Sequence, residues 1–338
     1  MYTRHRLAFS NHKLLSIARP VRYAPGARLV RQGEASRGAF LIASGRLEAE
    51  VALPGGGTLA VAEFRDGDMF GEMALVERGV CTASVFARTG VEGWFVARDD
   101  FRAMVASRDA AALELQREIT RVLAGKLRAL NARVREHPAA EDRPASDLPP
   151  SVKIDSSRTP GFPWRAFLPV LRFFEGFDDY EIEELVAPAR AFELARGAWL
   201  FAAGQSADAC FLVVRGALEI ISSNDRAERR VALAGPGELV GYLAVLDGAP
   251  HNASARVREA ACLLALPAAE FLRLYRGDSG AAVSLLHAIH ASLLRALSRT
   301  NNQLTRLISA ARLRGAHEEG SALEAARGSQ IDVVPQAQ

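Results

Sequence analysis

The alternation of apolar and polar residues predicts short β-strands in two stretches of the chain. In the first stretch, Leu47, Ala49 and Val51 alternate with Glu48 and Glu50, which is the period of two that a half-buried strand shows. Glycine-rich turns separate such segments, as in the Pro-Gly-Gly-Gly run at 54–57. Many short strands joined by turns favour a small barrel or jelly roll.

A helical period follows each group of strands. Apolar residues spaced three or four apart predict one helix from Asp109 to about Val134 and a second from about Gly280 to Arg314. Leucines of the second helix form a seam of the coiled-coil kind, at Leu286, Leu293, Leu297, Leu304 and Leu307. We expect this seam to contact a protein partner or to form a homodimer; the alternative is packing of each helix on its own barrel.

The strand and turn pattern occurs twice. Residues 25–34 match 196–205, and residues 39–48 match 210–219, at an offset of about 170. A repeat this long predicts two whole domains, at 1–135 and 164–315. Residues 136–163 are rich in Pro, Ser and charge and are expected to form a linker. The polar residues 316–338 are expected to be a disordered tail.

Composition narrows the function classes only modestly. The 338 residues are 49% hydrophobic and 24% charged with net charge +3, so the chain is globular and its basic excess is too small to indicate nucleic-acid binding. Three separated cysteines fit a reducing compartment and predict no metal site. Since the N-terminus has no signal-peptide pattern and no apolar run is long enough to span a bilayer, we expect a cytoplasmic protein without a membrane span.

Two equivalent motifs carry the candidate chemistry. The first runs from Phe70 to Leu75 (Phe-Gly-Glu-Met-Ala-Leu) and continues at 81–85, and the second runs from Val240 to Val245 and continues at 251–255. The pattern resembles the phosphate-binding cassette of cyclic nucleotide-binding domains, as in catabolite activators and kinase regulatory subunits. The resemblance implies a mainly β fold of two jelly-roll barrels, each followed by a long helix. It also implies that the cassette Glu binds the ribose 2′-hydroxyl and that a following Arg binds the cyclic phosphate.

The first cassette keeps the sugar-binding carboxylate and lacks the phosphate-binding cation. By the resemblance its candidate ligand-binding residues are Gly71, Glu72, Met73, Ala74, Cys81, Thr82, Ala83 and Ser84. Cys81 stands where the family has Arg, and the loss of a charged partner from a buried ionic contact costs about 2–5 kcal/mol. We therefore expect weak or altered nucleotide binding here, with Arg78 a candidate substitute cation. Cys81 as a redox sensor is a less favoured alternative.

The second cassette departs further and is expected to be vestigial. Its positions are Gly241, Tyr242, His251, Asn252 and Ser254. Tyr242 replaces the ribose-binding Glu, and we expect its ring to fill the sugar pocket. His251 replaces Arg, and a histidine of ordinary pKa is mostly neutral at cytosolic pH. If a ligand binds, we expect it in the first barrel.

No catalytic motif is visible in the sequence. We therefore expect a non-enzymatic regulatory protein without cofactors, whose possible ligand is a cyclic nucleotide. Two alternatives stay open: a ligand-independent assembly protein, and a sensor of a nucleoside or another ligand without a cyclic phosphate. Residues 229–232 (Arg-Arg-Val-Ala) resemble a kinase pseudosubstrate but fall on a predicted strand. The short tail after Arg314 predicts no helix-turn-helix domain, so direct DNA binding is not expected.

Overall fold

The first domain is a barrel of two antiparallel sheets. The computed structural model describes residues 17–52, 57–76, 78–136, 143–144, 159–223 and 227–328; the predicted hairpin tip at 54–56 lies outside them. One sheet has the order β1-β8-β3-β6 and the other β2-β7-β4-β5. The predicted alternation is confirmed, because Leu47 and Ala49 are buried in the barrel core. The strands are β1 Arg19–Tyr23, β2 Arg28–Val30, β3 Gly38–Ser44, β4 Leu47–Ala52, β5 Thr58–Phe64, β6 Met69–Phe70, β7 Ser84–Ala87 and β8 Val91–Ala97.

The second barrel repeats this arrangement with longer strands. Its sheet has the order β10-β15-β12-β13-β9, with β11 also paired to β15 and β14 to β12. Strand β12 corresponds to β3 and β4 joined end to end; Gly216, with φ +85°, lies at the junction where the register shifts. Two residues of the predicted linker, β9, pair with β13. The strands are β9 Arg143–Pro144, β10 Arg190–Leu194, β11 Trp199–Phe201, β12 Ala209–Ser223, β13 Ala227–Ala234, β14 Leu239–Val240 and β15 Ser254–Pro267.

Helices follow each barrel and lead into the second. The second barrel is preceded by 3₁₀ turns at Trp164–Val170 and Arg172–Phe174 and by a helix that Asp178 caps, with Glu181 completing a capping box. The α-helices are α1 Met73–Val76, α2 Arg98–Ala106, α3 Ala110–Glu136, α4 Asp179–Val186, α5 Tyr242–Asp247, α6 Ala268–Arg276 and α7 Gly280–Gly328.

Helix α7 is longer than the sequence predicted. It ends at Gly328, so the expected disordered tail is wrong for residues 316–328, whereas 329–338 lie outside the described residues. The physical reason is local: residues 316–327 include four alanines and three glutamates, which have high intrinsic helix propensity.

The two long helices, α3 and α7, pack side by side in parallel. Thr120 contacts His290 at 2.7 Å. Further toward the C-terminal ends of both helices, Thr300 donates a hydrogen bond to Asn131 at 3.3 Å. The contacting residues are 170 and 169 positions apart, which is the repeat offset. Equivalent positions of the two domains therefore face each other, as in a pair of helices related by a local two-fold axis.

This pairing corrects the predicted use of the leucine seam. Leu286 and Leu293 are fully buried in a core cluster that also contains Ile119 and Leu123 of α3. Leu304 is 4% exposed. The seam is thus covered by the same chain and does not offer these leucines to a second copy. Leu297 and Leu307 are partly exposed.

One stretch of α7, Gly280–Leu304, has the length and composition of a membrane span. Its most apolar window is 56% buried inside the fold. Burial of this extent is typical of a core helix, because the apolar face already has a protein partner.

Candidate functional site

The first cassette has the predicted turn, and its carboxylate has an internal partner. Gly71 has φ +77°, and a Cβ there would lie 2.8 Å from the Gly38 carbonyl oxygen, so the turn requires glycine. The short helix α1 begins two residues later, and Arg98 holds its Ala74 carbonyl. Glu72 lies 2.6 Å from Lys126 Nζ of α3. This cation offsets the negative charge of the carboxylate that was predicted to bind a ligand.

Cys81 lies where the resemblance places a phosphate-binding residue. Its backbone N–H donates to the Glu34 carbonyl at 2.8 Å, and its own carbonyl accepts from Gly33 at 2.8 Å. Burial, together with the negative charge of Glu34, raises the pKa of the thiol. The thiol is therefore neutral and can neither replace an Arg nor serve as an activated redox thiol. Arg78, the candidate substitute cation, is exposed.

The remaining donors of the first cassette have different surroundings. The Ser84 hydroxyl accepts from the Gln32 N–H at 3.0 Å, which anchors the loop and leaves its proton for another acceptor. Thr82 is exposed, Ala83 is half-buried, and Met73 is 38% exposed. None of the predicted residues of the first cassette is a cation.

The second cassette has the same backbone framework. Gly241 has φ +80°, and the His251 carbonyl accepts from Gly204 at 2.8 Å, as Cys81 accepts from Gly33. The Ser254 hydroxyl accepts from the Ala203 N–H at 2.9 Å, matching the contact of Ser84. The repeated contacts confirm that His251 and Cys81 are equivalent positions.

His251 is an aromatic wall rather than a cation. It is 5% exposed and its ring stacks on Phe201, with centroids 3.8 Å apart and planes 9° apart. Burial lowers the pKa of His251 to about 4, so the ring is neutral near pH 7. A phosphate at this position would find no opposite charge from His251.

A cavity of about 190 Å³ lies in the second domain, next to this cassette. The prediction that Tyr242 fills the sugar pocket stays a prediction. Tyr242 is 6% exposed and lines the cavity. The other cassette residues on its wall include Gly241, His251 and Asn252.

The charges of this cavity come from α7 and from the turn before the cassette. Arg299 pairs with Glu238 at 2.7 Å. Arg295 donates to the Ser292 hydroxyl at 3.1 Å, and burial, reinforced by the nearby Arg172, lowers the pKa of Arg295. Arg295 and Arg299 are thus two cations beside one carboxylate.

The first domain supplies part of the same wall. Leu127 and Asn131 of α3 line the cavity of the second domain. Between them, Arg128 donates to the Leu243 carbonyl at 2.9 Å and forms an ion pair with Asp247, so α3 is fixed to both ends of α5. No motif in the sequence indicated these α3 and α7 residues. The one available signal was the spacing of Arg295 and Arg299, four residues apart beside the leucine seam.

The pseudosubstrate-like segment at 229–232 forms part of β13 and is paired with β12. Arg229 is 8% exposed and donates to the Val134 carbonyl of α3 at 2.6 Å. Arg230 lies 3.5 Å from Glu219, which Arg256 and Arg258 also contact. The segment is therefore a structural strand, as its sequence position predicted.

Comparison with known proteins agrees with the duplicated architecture. The family model described as the cyclic nucleotide-binding domain matches residues 20–108 and 191–278, which together exceed half of the chain.

Within the part of the chain that the structure describes, no cluster of three His, Cys, Asp or Glu side chains could hold a metal ion.

Curated relatives match only over short segments. The acetyltransferase Pat of Mycolicibacterium smegmatis is 37% identical over 83 residues, 25% of each chain. The cAMP-dependent protein kinase regulatory subunit of Colletotrichum orbiculare is 30% identical over 84 residues, 25% of this chain and 21% of that protein. A CRP-like cAMP-activated global transcriptional regulator of Mycobacterium tuberculosis is 30% identical over 112 residues, 33% of this chain and 48% of that one. The chain thus spans between a fifth and a half of these relatives.

Solved structures resemble the chain over a greater length at lower identity. The regulatory domain of Toxoplasma gondii protein kinase A with cAMP is 19% identical, covers 81% of this chain and 86% of its own, and has a TM-score of 0.32. The regulatory subunit of a cAMP-independent protein kinase A from Trypanosoma cruzi, bound to guanosine, is 16% identical, covers 79% and 78%, and has a TM-score of 0.31.

Proposed function

Because the chain belongs to the cyclic nucleotide-binding domain family and carries the domain twice, we propose that it is a non-enzymatic, cytoplasmic regulatory protein with one ligand site. The site is the cavity of the second domain. Occupancy of this cavity acts on the contact between α3 and α7, and partner proteins respond to that contact.

The observation that carries this proposal is the composition of the cavity wall. Leu127 and Asn131 come from the first domain, and Arg295 and Arg299 come from the second. A ligand in this position touches both helices, so its binding energy differs between arrangements of the helix pair. A ligand shifts a conformational equilibrium only by such a difference in affinity.

The first domain acts in this proposal as a scaffold that presents α3. Its Glu72 has Lys126 as a partner, and its Cys81 cannot neutralise a phosphate. Arg117 of α3 donates to the carbonyls of Tyr275 at 3.0 Å and Gly277 at 2.5 Å, which fixes the start of α3 to the second domain. These contacts also support the alternative of a ligand-independent assembly protein.

Binding and helix movement can be measured on the same protein. Isothermal titration calorimetry with cyclic AMP, cyclic GMP, adenosine, guanosine and small aromatic acids tests occupancy. Spin labels at Ala129→Cys and Ser298→Cys, both exposed positions, report the distance between α3 and α7 in a Cys81→Ala background. Cys210 and Cys262 are buried, and burial raises their thiol pKa values, so they resist labelling.

We expect at least one compound to bind and to change the distance distribution between the labels. Ser222→Phe, which fills the cavity from its β12 wall, is expected to abolish both effects. Binding without a change in distance refutes the regulatory part of the proposal. If none of the compounds binds, the assembly alternative is favoured.

A further inference from the structure

The charge distribution of the second-domain cavity is the reverse of what a cyclic phosphate at the cassette requires. At the cassette end, the wall consists of the stacked rings of His251 and Phe201. Apolar strand residues such as Ile220 and Val240 continue this wall. This end can accept an aromatic or apolar body, and it offers no cationic side chain.

The opposite wall, on α7, carries the positive charge. Arg295 lines the cavity, and its guanidinium donates to Ser292. Among the described residues no carboxylate forms an ion pair with Arg295, and the nearby Glu238 is bound by Arg299 at 2.7 Å. A guanidinium that is partly withdrawn from water gains from a carboxylate or phosphate group, which it can bind in a two-point geometry.

The size of the cavity limits the body of the ligand. Its volume is about 190 Å³, whereas an engineered protein cavity of about 150 Å³ holds one benzene molecule. The space therefore suits one or two fused rings with a small substituent.

We propose that the second-domain cavity binds a small aromatic anion, with its ring against Phe201 and His251 and its carboxylate or phosphate on Arg295. This inference rests on the proposed function, since it names the ligand class of the same site. The ligand is oriented with its charge toward the helix pair. Arg295 thereby connects the anion to α7.

Three probes of similar shape test the charge requirement: 2-naphthoate, 2-naphthyl phosphate and the neutral 2-naphthamide. In calorimetric titration of the full chain, we expect one or both anions to bind about 10- to 100-fold tighter than the amide, because a charged hydrogen-bonded pair contributes that much. The stronger of the two anions identifies the acid class.

Variants of α7 test the role of Arg295. Arg295→Gln is expected to remove the preference for anions, whereas Arg295→Lys, which keeps the charge, retains most of it. Arg306→Gln is the matched control, because Arg306 is exposed on the same helix and away from the cavity. Circular dichroism of each variant shows whether it is folded. If Arg295→Gln is not folded, the comparison of wild type with Arg295→Lys still tests the role of Arg295.

The outcomes separate this inference from the proposed function. If the amide, adenosine or cyclic AMP binds as tightly as the anions, the aromatic-anion inference is overturned and a ligand site remains. If the anions bind equally well to wild type and Arg295→Gln, the assignment of Arg295 is overturned. If no compound binds and Ser222→Phe changes nothing, the ligand site itself is refuted.

Discussion

Acidification to pH 5.0 is expected to destabilise the contact between the two domains, because a neutral histidine is buried there. His290 of α7 is 2% exposed, and its Nε2 lies 2.7 Å from the Thr120 hydroxyl and 3.1 Å from the Gln116 carbonyl oxygen. Its Nδ1 has no hydrogen-bond partner among the described residues. Burial lowers the pKa of His290 to about 3, with a further contribution from His287.

The sign and size of the effect follow from this pKa. A histidine of ordinary pKa, about 6.5, takes up a proton in the unfolded chain below that pH, while folded His290 stays neutral down to about pH 3. The contribution of neutral His290 to the unfolding free energy is therefore complete above pH 6.5, and it falls by about 1.4 kcal/mol for each pH unit below that value. At pH 5.0 the loss from His290 is about 2 kcal/mol, and buried His251 adds a similar amount in the same direction.

This loss is separable from acid effects on carboxylates. Arg256 and Arg258 lower the pKa of Glu219 against the opposing effect of its burial, so Glu219 contributes stability that is lost only below its unfolded pKa. That value is about 4.5. Between pH 6.5 and 5.0 the histidines dominate among these three groups.

Urea unfolding at pH 7.5 and 5.0, followed by circular dichroism, measures the difference. In His290→Leu, the drop in unfolding free energy between the two pH values should be smaller than in wild type by about 2 kcal/mol. Thr300→Val is the control, since Thr300 is buried in the same interface and does not titrate; its effect should be the same at both pH values. Equal pH dependence of wild type and His290→Leu would refute the assignment of a buried neutral histidine.

Three further predictions concern the interdomain anchor and the first cassette. Arg117→Met leaves the carbonyls of Tyr275 and Gly277 without their charged donor, which should lower the urea-unfolding free energy by about 2–4 kcal/mol; a change under about 0.5 kcal/mol would contradict this anchor. Cys81 should react with Ellman's reagent at pH 8 more slowly than glutathione does, because burial raises its pKa; a faster reaction would revive the redox alternative. Cys81→Arg should create or strengthen cyclic AMP binding at least 10-fold in calorimetry, and no gain would mean that the first pocket is closed for another reason.

The backbone of both barrels could be predicted from the sequence because its determinants are local. Gly71 and Gly241 have left-handed φ values that other residues rarely adopt, and both recur at the repeat offset. Alternating residues such as Leu47 and Ala49 were assigned to the core for the same reason, since a period of two places them on one face of a strand. The family motif and the residue periodicity lead to the same prediction for the glycine turns and the strands, because each of these features depends on only a few neighbouring residues.

The location of the cavity could not be predicted because it depends on the directions of side chains and on a distant helix. Tyr242 was expected to fill the sugar pocket, whereas the cavity that it lines also takes walls from Leu127 of α3 and Arg295 of α7. Glu72 was expected to bind a ribose, but Lys126, 54 residues later in the sequence, donates a hydrogen bond to it in the folded protein. Neither arrangement can be recognised from the local pattern of residues.

The pairing of α3 with α7 explains why this architecture needs both domains in one chain. In a homodimer, each helix would carry the same residues and both cavities would have the same wall. Here Lys126 and Arg128 of α3 bind the two cassettes, whereas the positions one repeat later are alanine and serine. Conversely Arg295 and Arg299 line the cavity, and the equivalent positions of α3 are glycine and alanine. Duplication within one chain thus permits one helix to contact the cassettes and the other to supply the charged wall of the second-domain cavity.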